Sequence, residues 1–216
     1  ALYRTAQICE EKLGDLEKAL DQYRRVARGS CVGMARNRVA TMTGKELTLS
    51  SPRTCRTGEP VTVLLRTRNI PKVTIKHYTL DLEAFFRKTH GTGNVEDLDI
   101  ALIQPDRTTE FKVDDYAKYK PFEQELEIPL AEGKPGVCVV NVSEEDWEAT
   151  TLAIRSDLEL IAKSSRREAL VFVEDMVSKQ PAPGVKVLLS DGKTIVATGT
   201  TGADGVYRYP GEELKT

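Results

Sequence analysis

The chain has 216 residues, 40% hydrophobic and 30% charged, with 31 basic and 33 acidic side chains and a formal net charge of −2. Such a length holds one large domain or two ordinary ones with an appendage, and the composition is that of a globular protein with a real core. The interleaved, balanced charges set up no long-range field, so nucleic acid and anionic membrane are not expected partners, and no apolar run approaches the ~20 residues needed to cross a bilayer. The chain opens without Met, basic n-region or apolar h-region, directly on the helical pattern of Ala1-Leu2-Tyr3, and is read as a piece of a longer chain.

Residues 1–28 have helical spacing in two stretches. Leu2, Ala6, Cys9 and Leu13 form one apolar stripe; Leu16, Ala19, Leu20, Tyr23, Val26 and Ala27 form another. Gly14-Asp15 separates them, the glycine as a helix stop and the aspartate as the next N-cap. Tyr3, Leu13-Gly14-Asp15, Ala19-Leu20 and Tyr23 resemble a tetratricopeptide repeat, with Gly29-Ser30-Cys31 where the repeat usually ends on Pro. The resemblance spans about 34 residues, one repeat period. A further helix is expected from about Val32 to Met42, with Met34, Val39 and Met42 on one side. One repeat cannot bury both its faces, so residues 1–44 are expected to stack on more repeats or to dock on the β-domain C-terminal to them.

At Gly44 the period changes to two. Glu46–Ser50, Pro60–Arg66 and Lys72–Tyr78 alternate as strands, and Asn69-Ile70-Pro71 is read as the turn of a β-hairpin between the last two. A helical insertion is expected over about 80–100, beginning at Asp81–Lys88 and followed by a polar loop at 89–94 and a short helical or extended piece at Val95–Ile100. Strands resume at Thr109–Val113, Phe122–Ile128, Gly136–Val142 and Thr150–Lys163. Short strands punctuated by turn signals point to an antiparallel β-sandwich over residues 45–165. Residues 166–216 carry a similar pattern: Ala169–Val173 is an apolar strand, Val185–Leu189 alternates, and Thr194–Gly199 and Val206–Tyr209 follow the turns Ser190–Lys193 and Ala203-Asp204-Gly205. A sandwich of this kind takes about 7 strands and about 100 residues, so this second one is expected to be truncated, with open edges through 169–209 that favour edge-to-edge pairing. The fold class expected is mostly β, immunoglobulin-like sandwiches after an α-helical stub.

Gly136-Val137-Cys138-Val139-Val140, Ile154-Arg155-Ser156-Asp157-Leu158-Glu159-Leu160-Ile161-Ala162-Lys163 and Leu170–Asp175 together resemble the junction between consecutive macroglobulin domains of bacterial alpha-2-macroglobulins. Thr67–Ile70 and Tyr78–Leu82 are similar to large members that carry tetratricopeptide repeats before the first sandwich. The resemblance implies a scaffold segment of a protease-trapping inhibitor in the periplasm or at the cell surface. Its partners would be proteases, met through other parts of the protein, and neighbouring domains of the same chain. The family's thioester motif, Cys-Gly-Glu-Gln, does not occur at Cys9, Cys31, Cys55 or Cys138, and no bait region is identifiable, so no reaction residue carries over. The other reading of the same pattern is a secreted adhesin or interaction scaffold of tandem immunoglobulin-like domains.

The chemistry-bearing residues are few. The four cysteines include no Cys-x-x-Cys; they read as buried small hydrophobes or as disulfide partners, with Cys31 and Cys55 the best-placed pair. His77 lies in an alternating strand, where a half-exposed structural role is the default. His90 sits in a loop near Glu96, Asp97 and Asp99, a solvated arrangement without metal-ligand spacing. Asp114-Asp115 and Glu144-Glu145-Asp146 lack the alternating oxygens and Gly turn of a calcium loop; Ser143–Asp146 suits an N-capped helical turn. Asn141-Val142-Ser143 is a formal sequon, and Gly91-Thr92-Gly93 lacks the context of a phosphate loop. Trp147 is read as core packing at a domain junction, and Phe85-Phe86 as a helix face covering the sandwich. The expectation is therefore no catalytic residue, no cofactor and no metal, in a non-enzymatic segment.

Overall fold

The computed structural model describes residues 1–91, 103–114, 116–131, 133–165 and 168–211. The expected piece at Val95–Ile100, and Glu96, Asp97, Asp99 and Asp115, lie outside the described residues. Three helices come first: α1 (Leu2–Glu11), α2 (Leu16–Arg24) and α3 (Val32–Thr43). Gly14 turns the chain at φ 66° and Asp15 caps α2, its carboxylate accepting from the Lys18 N–H at 3.0 Å. Ala6, Ala19 and Ala35, one from each helix, are fully buried, and such short side chains let the helices approach closely. The apolar stripes are narrower than their spacing predicts. Leu2 and Leu13 are exposed while Ala6 and Cys9 are buried, and on α3 the inner face is Ala35 and Met42, with Met34 turned outward. Glu10 joins the three helices: it accepts from the Tyr23 hydroxyl at 2.9 Å and from Arg38 Nε at 3.0 Å.

The sandwich that comes next has two antiparallel sheets. One orders β1 (Glu46–Ser50), β2 (Val61–Arg68) and β5 (Phe122–Ile128); the other orders β4 (Arg107–Lys112), β3 (Lys72–Thr79), β6 (Gly136–Glu144) and β7 (Trp147–Arg155). Alternation puts Val61, Val63 and Leu65 of β2 against Val73 and Ile75 of β3 and Val140 and Val142 of β6. The expected β2–β3 hairpin is not formed. β2 pairs with β1 and β5, β3 with β4 and β6, so Asn69-Ile70-Pro71 is a corner that carries the chain from one sheet to the other. Ile70 is 0% exposed within the sandwich core. Burying it contributes about 2–3 kcal/mol, which a tight exposed turn forgoes. Asn69 sits at φ 57°, a region this residue tolerates, and its amide donates to the carbonyls of Met42 and Gly44, both at 2.8 Å, at the end of α3. The helices are thus docked on the sandwich by the same corner.

Both faces of β6 are covered. The outer face carries Val139 and, opposite it on β3, Tyr78; α4 (Leu82–Thr89) lays Phe85 on this pair. Asp81 caps α4 through the Ala84 N–H at 3.0 Å. The strand expected over 150–163 is two strands: β7 ends at Arg155, and β8 (Leu158–Ser164) begins after a bend at Ser156-Asp157. β8 hydrogen-bonds across to β9 (Glu168–Asp175), so this hairpin spans the boundary expected between residues 165 and 166. β9 also pairs with β10 (Gln180–Pro181) and β13 (Val206–Pro210), while β11 (Lys186–Ser190) and β12 (Ile195–Thr200) form a hairpin that closes a small core of Val171, Val173, Ala182 and Val187. The molecule is mostly β, with antiparallel sheets packed as immunoglobulin-like sandwiches.

The Glu10 cluster makes stability depend on pH. The Arg38 hydrogen bond, aided by Tyr23, holds the Glu10 carboxyl below the usual carboxylate range against the opposing effect of burial. A folded-state pKa below the unfolded value of about 4.3 means that the stabilisation is fully present above that pH and is lost as pH falls through the folded pKa. Glu10→Gln should therefore lower the thermal midpoint at neutral pH, and the gap between variant and wild type should shrink on acidification, as followed by far-ultraviolet circular dichroism.

Candidate functional site

Most residues singled out in the sequence are held by the fold itself. His77 is only 8% exposed, not half-exposed, because it stands opposite Arg107 and Val140 in the middle of its sheet. Among the described residues its Nδ1 has no hydrogen-bond partner, and burial, with Arg107 alongside, pushes its pKa below the ordinary imidazole value. It lines a shallow cleft in which, among the described residues, the other ionisable groups are Arg107 and Glu127. The imidazole is thus a neutral packing element at neutral pH. His90 is the left-handed C-cap of α4, its N–H on the Phe86 carbonyl at 2.7 Å.

Ser143–Asp146 is not a helical turn. Glu144 pairs with Trp147, and Glu145, at φ 50°, sits in the tight turn between β6 and β7. The two glutamates clamp Lys45, at 2.9 and 2.7 Å, so this carboxylate run ties the helix-to-sandwich linker to a hairpin. Trp147 closes the hairpin at 43% exposure and is not core. Asn141 of the sequon is buried, donating to Glu148 at 2.5 Å and to the Thr150 hydroxyl at 2.9 Å. All four cysteines are free thiols; the Cys31–Cys55 bond is not formed, Cys31 is half-buried, and burial pushes the Cys138 thiol up to about 11. Among the described residues no three His, Cys, Asp or Glu side chains are grouped to hold a metal ion. No helix among them is long and apolar enough to cross a membrane.

Two further features complete the site, of which the sequence pointed only to the first. The first is the junction between the sandwiches. Asp157 accepts from the Thr57 N–H at 2.8 Å and from the Thr57 hydroxyl, while its own carbonyl accepts from Met176 at 2.8 Å. Arg56 donates to the Ser156 carbonyl at 3.0 Å and pairs with Glu159 at 3.1 Å, and Ser156 Oγ accepts from the Leu158 N–H at 3.1 Å. The Ser-Asp-Leu phrase is therefore a clamp in which a loop of the first sandwich grips the first turn into the second. The second feature is a groove of about 470 Å³ between the units. Leu82 and Phe86 of α4 form one wall; Leu158, Leu160 and Val173 form the floor; Val185 to Leu188, at the start of β11, form the other wall. Lys186 bridges its mouth, reaching both carboxylate oxygens of Glu83 at 2.7 and 2.8 Å. An exposed pair of this kind is largely screened by solvent, so it aligns the units more than it joins them.

The groove has a topological origin. The sheet β8–β9–β13 repeats the order of β1–β2–β5, and the pair β12–β11 repeats β4–β3. In the first sandwich β6 occupies the other edge of β3; among the described residues nothing occupies the corresponding edge of β11. Leu160 stands opposite Val173 and Ala162 opposite Val171, so the inner face of β8 continues the core face of β9 but lacks a facing strand. The arrangement can bind or pack an apolar extended segment.

No protein-family model matches the chain. Its fold is similar to that of a fragment of native alpha-2-macroglobulin from Escherichia coli spanning domains NIE-MG1, with TM-score 0.53 and 13% identity over 78% of this chain and 89% of that one. A longer fragment of the same protein, spanning domains MG0-NIE-MG1, matches with TM-score 0.55 and 13% identity over 78% of this chain; the match spans 59% of that fragment. The chain has a macroglobulin-like fold.

Removing the Asp157 carboxylate leaves the Thr57 N–H and hydroxyl without their acceptor. Asp157→Ala should cost about 1–3 kcal/mol in urea unfolding, and should speed amide exchange at Thr57 more than at Val63 in the sandwich core. Asp157→Asn, which keeps an acceptor oxygen, should retain most of the protection.

Proposed function

We propose that this chain is a non-catalytic scaffold segment of a large alpha-2-macroglobulin-like protein that traps proteases. The observation that carries the reading is the serial pair of sandwiches with a clamped junction at Ser156-Asp157, in a fold similar to consecutive domains of the Escherichia coli protein. A trap needs walls that keep their relative placement while another part of the molecule yields to a protease. A junction fixed by Thr57–Asp157 and Arg56–Glu159 is suited to such a wall. Proteases are met through other parts of the protein, and this segment meets neighbouring domains. The helical segment, read as tetratricopeptide-like from Tyr3, Gly14-Asp15, Ala19 and Tyr23, extends the wall at its other end. The periplasm or the cell surface is the compartment that goes with this reading.

The second reading is a secreted or surface interaction scaffold of tandem immunoglobulin-like domains. The apolar groove between the units favours it, because a scaffold that holds partners needs such a surface.

The gene product carrying this chain separates the two readings when mixed with trypsin. A trap lowers trypsin activity on a protein substrate while leaving activity on a small chromogenic peptide, and the complex changes mobility on a native gel. Undiminished digestion of the protein substrate, with no complex formed, contradicts the trapping role and leaves the interaction scaffold.

A further inference from the structure

An open sheet edge offers a row of unpaired N–H and C=O groups to any other strand, and folded proteins usually block it. The outer strand of the first sandwich's smaller sheet, β1, is followed at once by a block. Cys55 donates to the Ile154 carbonyl and accepts from the Ser156 N–H, each at 2.9 Å, and this closes that side of the sandwich. The equivalent strand of the second unit, β8, pairs with β9 alone among the described residues. All seven of its residues are exposed, Leu160 at 60% and Ile161 at 57%. It contains no Pro and no bulge in its register with β9.

The direction of its free backbone groups is set by two hydrogen bonds. At one end Ser165 donates to the Glu168 carbonyl at 2.8 Å; at the other Met176 donates to the Asp157 carbonyl at 2.8 Å. Backbone groups alternate sides along an antiparallel strand, so residues 159, 161 and 163 spend theirs on β9. Leu160, Ala162 and Ser164 direct theirs to the open edge, and Leu158 its carbonyl, its N–H being taken by Ser156 Oγ at 3.1 Å.

That parity limits what can add there. A copy of β8 laid antiparallel on the first must match even-numbered residues with even-numbered ones. Centred on Ile161, the match sets Leu160 against Ala162 as hydrogen-bonded pairs and lets the Leu158 carbonyl accept from Ser164, with Ile161 facing itself as a close, non-hydrogen-bonded pair. In that register alone Glu159 faces Lys163 of the other copy, twice, on the same face as Ile161. Sliding by one step to either side sets Glu159 or Lys163 against Ile161, and sliding by two sets Glu159 or Lys163 against itself. Within each copy Glu159 also pairs with Arg56 at 3.1 Å.

We propose that β8 is a self-association edge, on which a second copy of this chain adds its own β8 about a two-fold axis at Ile161 to make one continuous sheet. The surface stands on backbone parity and charge complementarity, independently of the protease-trapping reading.

Sedimentation equilibrium of the 216-residue chain tests it. The expected result is a monomer–dimer equilibrium. Ile161→Lys, which sets two ammonium groups face to face at an exposed site, should leave only monomer with an unchanged circular dichroism spectrum. Glu159→Lys should weaken the dimer about tenfold, since two cross-strand pairs turn repulsive. Adding Lys163→Glu to Glu159→Lys should restore it, because the pairs re-form with reversed sign. Both of the latter variants lack the Arg56 pair, so their difference isolates the contact between copies. A chain that stays monomeric at every concentration, or a dimer that Ile161→Lys leaves intact, or a double variant no tighter than Glu159→Lys alone, overturns the proposal.

Discussion

Asn69 takes the backbone through φ 57° at the end of β2, and the rest of the architecture depends on that residue and its neighbour. Its side-chain amide donates to two carbonyls at the end of α3, while its oxygen accepts from the Tyr119 N–H at 2.8 Å, so one side chain ties together a helix, a corner and a loop. Arg68 beside it donates to the Thr41 carbonyl at 2.8 Å and pairs with Glu46 at 2.8 Å. A cation at the last turn of a helix also meets the negative end of its dipole. Ile70 then enters the core, which forces β3 away from β2 and onto the opposite sheet. Had the chain turned tightly there, β2 and β3 would share a sheet, and the faces that carry Val63 and Ile75 could not oppose each other.

The same logic recurs at the second corner of the chain. Arg155 ends β7 buried and donates from Nε to the Lys134 carbonyl at 2.8 Å, and Ser156-Asp157 then bends the chain into the next sandwich. The bend is not a free linker, because Thr57 and Arg56 hold it from the first unit. The two sandwiches are therefore spaced by hydrogen bonds to backbone groups, which need their acceptors and donors in fixed positions, more than by apolar contact. What apolar surface remains between them, from Phe86 to Leu160, is left as a groove.

Much of this was legible in the chain. Period two marked β1, β2 and β3, because alternation reports which residues face a core, and the Gly14-Asp15 punctuation marked the gap between α1 and α2. Partner choice was not legible. Alternating strands on either side of Asn69-Ile70-Pro71 look the same whether they pair with each other or pack face to face, and only the burial of Ile70 distinguishes the two. The run from Thr150 to Lys163 hid its bend for the same reason: Ser156 and Asp157 are compatible with a strand until Thr57, a hundred residues away in the chain, claims the carboxylate. Trp147 and His77 exchanged their expected exposures because position within a sheet decides burial, and a hairpin end and a sheet centre share the same local pattern. The open edge of β8 was not anticipated: open edges were expected through 169–209, whereas the fully exposed strand is Leu158–Ser164.

These constraints describe a molecule organised by corners, each pinned by a side chain that accepts from or donates to distant backbone. Nuclear Overhauser contacts between backbone protons of opposite strands test this most directly. Contacts of Val63 with Leu126 and of Ile75 with Val142 are expected, and none between β2 and β3. Contacts of Arg68 with Lys72 and of Arg66 with Thr74, the register of a hairpin closed on residues 69–71, would contradict it.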